Sequence, residues 1–360
     1  MAAIHQLLAG FANGDAISNE ARVLRRIFRG WGCASEIFSE TKRILPELRS
    51  EARDLAVLAA ALQPGDIVLL HLSIGSVVNE LFRQLPCRKA LLYHNVTPPE
   101  YFRGVQEQIA HQLALGREQA RALAGVAAVN LADSAFNAAE LQALGYGRVA
   151  VFPLLLDFEQ LRAAPSRAML GKFDDGLTNI LFVGRGAPNK CLDDLMAAFH
   201  YFQKYVEPDS RLIHVGSYAG LEAYEGCLRT RSCELGLSNV EWTGSLPQPA
   251  LNACYRCARV FLSMSEHEGF CIPLIEALVH DVPVLAFAAG AVPETLAGAG
   301  VLFTEKRFDL VAEMLGRLAR DAELRAAVLV RQRERLDRFE HRDLAAELRA
   351  HFAPLLPSGA

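Results

Sequence analysis

The feature that most constrains this chain is a rhythm it states twice: short apolar runs alternate with longer amphipathic stretches. Such alternation is the signature of successive strand-helix units around a parallel sheet. Candidate strands in the first half are Ile4–Leu8, Ala34–Phe38, Ile67–Leu70, Ala90–Tyr93, Val126–Asn130 and Val149–Phe152. Helical patterns lie between them, for example over Ile17–Arg29 and Glu47–Leu62. After Pro153 the rhythm breaks, and Pro165, Gly171, Asp174, Asp175 and Gly176 supply turn formers, so a domain boundary is placed there. It resumes with candidate strands at Asn179–Val183, Arg211–Val215, Val240–Trp242, Val260–Leu262, Val284–Phe287 and Val301–Phe303. The chain therefore reads as α/β, two doubly wound domains in tandem with a cleft between them. Ligands of such sheets sit outside the carboxyl ends of the strands.

Composition narrows the classes. Of 360 residues, 51% are hydrophobic and 22% charged, which suits packed cores and not a disordered chain. A net charge of -4 leaves no positive field to draw nucleic acid, so no nucleic-acid partner is expected. No long uncharged apolar stretch suggests a membrane span, and MAAIHQLLAGF lacks a basic signal-peptide start, so the expected location is cytoplasmic. The eight cysteines are scattered and read as small buried hydrophobes. Arg22, Arg25, Arg26 and Arg29 share one helix with Val23, Leu24, Ile27, Phe28 and Trp31. Two readings stay open for it: a basic, partly apolar surface for anionic lipid, which would make the chain a peripheral membrane protein, or an ordinary amphipathic helix packed on its sheet.

The most informative segment is Ser265–Leu278, SEHEGFCIPLIEAL, which follows an apolar run. With Pro273 in the first turn of a helix, Glu268 falls in the strand-to-helix loop and Glu276 on the helix. Such a loop aims backbone N–H groups at a ligand, a natural seat for anionic or polyhydroxyl groups.

Glu268-Gly-Phe-Cys-Ile-Pro-Leu-Ile-Glu276 resembles the E-x7-E motif of glycosyltransferase family 4, retaining enzymes of GT-B architecture. LFVGRGAPNKCLDDLMAAF, VEWTGSLPQPALNACYRCARVFLSMSEHEGF and VPVLAFAAGAVPETLAGAGVLF resemble that family's segments in matching order. Weaker matches are Gly14-Asp15-Ala16-Ile17, Ala132–Leu141, and Tyr93–Phe102, the last similar to mannosyltransferases that build bacterial surface polysaccharides. The resemblance implies an acceptor domain over 1–160, a nucleotide-sugar donor domain over 161–340, and a terminal helix in 341–360 crossing back to the first.

It also implies roles. Arg185 and Lys190 would hold the donor diphosphate, the first bidentately and the second as a point charge. With two cations there and no D-x-D triplet in the chain, neither a metal nor another cofactor is expected. Glu276 would accept both ribose hydroxyls. Glu268 would face the donor sugar as a catalytic-support group, not a covalent nucleophile, with the N–H groups of Gly269, Phe270 and Cys271 nearby. Gly244, Ser245 and Leu246 would lie near the base, and Gly14 and Asp15 near donor phosphate and acceptor. His94 is expected at the anomeric centre, donating to the sugar or polarising the acceptor hydroxyl.

The expected reaction moves a hexose, first of all mannose from GDP-mannose, to a glycan or lipid-linked acceptor in polysaccharide or lipopolysaccharide assembly. A nucleotide-sugar epimerase and a non-catalytic partner subunit are the alternatives. Cys254-x-x-Cys257 lacks a second pair for zinc, and Gly145-x-Gly147 follows a helix where a dinucleotide fingerprint follows a strand. Asn95-Val-Thr97 matches a glycosylation acceptor by chance.

Overall fold

Two parallel sheets organise the chain, one in each of two units. The structure is a computed structural model that describes residues 2–356. The first unit comprises the chain up to Glu100, Glu107–Leu156 and the residues from Asp343; the second comprises Tyr101–Gln106 and Asp157–Arg342.

The first sheet contains β1 (Ile4–Leu7), β2 (Ile37–Ser39), β3 (Ala52–Asp54), β4 (Ile67–Leu72), β5 (Arg88–Tyr93), β6 (Val129–Ala132) and β7 (Ala150–Val151). Its order is β3-β2-β1-β4-β5-β6-β7. The second contains β8 (Thr178–Val183), β9 (Ser210–Val215), β10 (Val240–Trp242), β11 (Ala258–Ser263), β12 (Val284–Phe287) and β13 (Val301–Phe303), in the order β10-β9-β8-β11-β12-β13. Every pairing is parallel. In each sheet the first strand lies between the second and the fourth, so the winding reverses there. That reversal opens a crevice at the carboxyl ends of the strands, the place where doubly wound sheets hold ligands.

The helix Ala16–Gly30 shows why the sequence settles as it does. Asp15 caps it by accepting from Ser18 N at 2.8 Å. Leu24 and Phe28 are fully buried in the sheet's core, and Val23, Ile27 and Trp31 pack against the same cluster. Arg22 donates to Glu51 at 2.8 Å and Arg29 to Ser35 O at 2.9 Å, while Arg25 also reaches Glu51. The helix's apolar residues serve the core, and these three arginines bind inside the unit.

Glu47–Leu62 is not the helix its pattern suggests. The chain makes a 3-10 turn at Pro46–Leu48, edge strand β3, a second turn at Leu55–Val57 and only a short helix at Leu58–Ala61. The backbone of Ala52–Asp54 completes the sheet by pairing with Ile37–Ser39. Asp54 then turns the chain by accepting from Ala56 N at 2.7 Å, and tertiary pairing overrides local propensity.

The helix Leu344–Phe352 belongs to the first unit. Leu348, Phe352 and Leu355 are buried with Ile4, Leu24 and Phe28, and the Phe352 ring lies 5.5 Å from that of Phe28. All eight cysteines are free. Among the described residues, no helix is long and apolar enough to cross a membrane.

Candidate active site

In the second unit, glycines let the loops after β8, β9 and β10 approach closely. A Cβ on Gly216 would stand 1.8 Å from Gly184 O, and one on Gly186 would stand 1.9 Å from the Tyr218 ring. Gly244, at φ 68°, accepts from Gly216 N at 3.0 Å, which brings the Gly244–Ser245–Leu246 turn to the same edge. Beneath them His214 contacts Gly184 O and the Tyr218 hydroxyl, each at 3.0 Å. Burial pushes His214 down to about 4, so it is a neutral structural ring.

Arg185 leaves β8 and donates to Ala219 O at 3.0 Å. Lys190 ends the short turn Pro188–Lys190, followed by Cys191 in the left-handed region at φ 50°. Its Nζ lies 2.7 Å from each oxygen of Glu268. The family resemblance implies the diphosphate for Lys190 and the sugar for Glu268; here the two form one ion pair, with side chains 18% and 9% exposed. Burial draws the Lys190 ammonium down, but Glu268 outweighs it and holds the group above its ordinary value. A lysine has three N–H donors, and two directed at Glu268 leave one for another acceptor.

Glu268 lies in the loop between β11 and the helix Ile272–Val279, with Pro273 in the first turn, as the spacing predicts. Cys271 caps that helix at φ 70°, and burial pushes its thiol well up, so it stays protonated. Phe270 is fixed by a bond from Thr295 Oγ1 to its carbonyl at 2.6 Å. Gly290 is a requirement that the motif did not reveal. At φ 55°, a Cβ there would meet Glu268 O at 2.5 Å, and the neighbouring Ala291 N donates to that oxygen at 2.9 Å.

Glu276 stands on the helix, 9% exposed, and accepts from the Tyr255 hydroxyl at 2.7 Å. Burial pushes its carboxyl up to about 7 against the opposing effect of Tyr255. Tyr255 is another partner that sequence reading missed. The available signal is a polar aromatic on a helix whose other buried residues, Ala250, Asn252, Ala253 and Cys254, are small.

In the first unit, Gly14 has φ 70° and Asp15 caps the first helix. His94 follows β5 at its carboxyl end. Its side chain is 2% exposed, with Nδ1 3.0 Å from Asp133 Oδ2 and Nε2 2.9 Å from His71 Nδ1. Both ring nitrogens are thus engaged within the unit. The loop beyond is fixed by Tyr93, whose hydroxyl donates to Glu140 at 2.6 Å and accepts from Val96 N at 3.0 Å.

Residues 171–351 match the family described as glycosyl transferases group 1. The chain belongs to that family. This group 1 glycosyltransferase is 25% identical over 134 residues to O-antigen chain mannosyltransferase B of Escherichia coli, covering 37% of this chain and 34% of that one. It is 34% identical over 116 residues to a GDP-mannose-dependent alpha-mannosyltransferase of Mycolicibacterium smegmatis, covering 32% of this chain and 27% of that one. The matched stretches thus span about a third or less of these curated relatives. HepE of Anabaena, solved in complex with UDP-glucose, superposes with a TM-score of 0.74 over 98% of each chain at 16% identity. The two parallel-sheet, Rossmann-like units make up the GT-B fold.

Proposed function

We propose that this glycosyltransferase moves a hexose from a nucleotide diphosphate sugar to an acceptor hydroxyl, with retention at the anomeric carbon and no metal at the diphosphate. The observation that carries the reading is the Lys190–Glu268 pair at the carboxyl edge of the second sheet. As the glycosidic bond breaks, the departing diphosphate gains negative charge, so cations aimed at it lower the barrier. Lys190 keeps a donor for a phosphate oxygen, and Arg185 adds a fork suited to two more. Glu268 keeps Lys190 charged and offers a carboxylate to the sugar. Glu276 receives the ribose hydroxyls, and the turn at Gly244, Ser245 and Leu246 adjoins the base. Gly269, Phe270 and Cys271 supply backbone N–H groups, and Gly14 and Asp15 serve the acceptor side.

GDP-mannose is the proposed donor and bacterial polysaccharide or lipopolysaccharide assembly the proposed setting, with a glycan or lipid-linked acceptor. The two mannosyltransferase relatives support both choices. Calorimetric titration with GDP, UDP and dTDP, each with and without a metal chelator, tests the reading. Chelator-resistant binding of GDP, ahead of the other two, is the expected result. Failure of the folded protein to bind any of the three would reject the donor site, and binding abolished by chelation would reject the metal-free diphosphate.

A further inference from the structure

A buried hydrogen-bond chain crosses the first unit below the carboxyl end of its sheet. Gln6 Nε2 donates to Ala21 O at 3.0 Å, so the Gln6 oxygen faces the other way and lies 3.0 Å from His71 Nε2. That nitrogen therefore carries hydrogen, and a neutral His71 presents a bare Nδ1. His94 Nε2 meets it at 2.9 Å, while His94 Nδ1 faces the Asp133 carboxylate at 3.0 Å. The two ring planes differ by 2° and the centroids are 5.1 Å apart, close to the greatest separation that a 2.9 Å N···N contact permits. The rings meet edge to edge, nitrogen facing nitrogen, with one proton between them.

Glu20 enters from the helix Ala16–Gly30. Its Oε2 lies 3.6 Å from His94 Nε2 and 4.0 Å from His71 Nδ1 and has no hydrogen-bond partner, while Oε1 accepts from Leu155 N at 3.1 Å. Two imidazoles and a carboxylate are a zinc-like set. Metal ligands, however, aim their lone pairs at a common third point, and these two ring nitrogens aim at each other.

We propose that His71 and Asp133 are positioning residues that hold His94 as an imidazolium with both N–H bonds committed, so that His94 fixes a positive charge at the sheet's edge and cannot take up the acceptor's proton. The titratable groups that face it are Asp15 and Glu20 at the first helix, His71 on β4 and Asp133 after β6. Burial pushes the Glu20 carboxyl up to about 8 and raises that of Asp133, against the opposing pull of His94. Burial acts to strip the proton from His94, but Asp133, Glu20 and Asp15 prevail and hold it up to about 9. His71, buried beside that charge, is held well below the ordinary imidazole range. What the charge does in catalysis rests on the transfer reading above, whereas the protonation pattern does not.

The test is long-range 1H–15N correlation spectroscopy on the full chain labelled with 15N-histidine, titrated from pH 6 to 9. His94 should show two protonated nitrogens at pH 7 and His71 the neutral Nε2–H form. H71N keeps an acceptor for His94 and should preserve its signature, whereas H71L should lower the pH at which His94 loses its proton by at least one unit. A singly protonated His94 in the unaltered protein at pH 7 overturns the proposal. So does stoichiometric zinc, retained through gel filtration, that moves both sets of ring signals. Should H71L fail to fold, the titration of the unaltered protein decides. The expected signature in a protein that binds no nucleotide would leave the protonation pattern standing and remove only its catalytic use.

Discussion

Replacing Lys190 by Met and Glu268 by Gln, singly and together, measures whether their pair is a unit. At 2.7 Å the gross attraction is about 6 kcal/mol for an effective dielectric near 20. Dehydration of two mostly buried groups offsets much of it. What a single replacement reveals is therefore the cost of stranding the other partner, about 3–5 kcal/mol for a buried pair. Lys190→Met leaves Glu268 charged and unmatched, and Glu268→Gln strands the ammonium. The double variant strands neither, so its loss should fall well short of the sum, with a coupling of about 2 kcal/mol or more. Urea unfolding followed by tryptophan fluorescence supplies the stabilities, since Trp242 lies in the second unit. A coupling under about 0.5 kcal/mol, the level of an exposed surface pair, would falsify the argument. In parallel, Lys190→Met should weaken GDP binding at least tenfold and guanosine binding hardly at all; equal losses would place Lys190 away from the phosphates.

Glu276 supplies a pH signature. Its carboxyl is raised to about 7 when folded against an ordinary value of 4.5, so folding retains a proton that the unfolded chain releases. Its contribution to stability is fully present below about 4.5 and is lost as pH rises to about 7, by up to roughly 3 kcal/mol. Glu276→Gln should flatten that slope in urea titrations at pH 5 and 8, and an unchanged slope would assign it to other groups. Tyr255→Phe removes the hydroxyl that Glu276 accepts, which should cost about 1–3 kcal/mol and weaken nucleoside binding at pH 7. A variant as stable and as tight as the parent would show the bond to be idle. Gly290→Ala forces a side chain into a left-handed residue against Glu268 O, and a loss of about 2 kcal/mol or more is expected on thermal unfolding.

The central strands are legible because they are apolar runs: IVLLHL of β4 is buried at every position. Edge strand β3 is not, since only Ala52 of its three residues is buried and its pairing depends on residues well before it in the chain. The site divides in the same way. Glu268 and Glu276 stand out as charged residues at fixed spacing around Gly269 and Pro273. Their partners Tyr255 and Gly290 are distant in sequence and ordinary in type, so only three dimensions bring them in. Gln6 and His71 did carry a signal, as polar residues inside fully buried strands. Burial of that kind requires a partner, but a linear sequence does not say which one.

The terminal helix has a consequence for how the protein is made. Leu348, Phe352 and Leu355 fill the same cluster as Ile4 and Phe28, so the first unit is finished only by residues synthesised after the whole of the second. During translation the second unit has all of its strands available while the first still lacks part of its interior, which exposes Phe28 and Trp31 until Leu348, Phe352 and Leu355 emerge. A stop codon at Asp343 would therefore damage the first unit, hundreds of residues from the lesion, and leave the nearer one intact. Anyone wishing to study the first unit alone would need to join Asp343 onward to Leu156, since cutting at the linker removes a piece of its core.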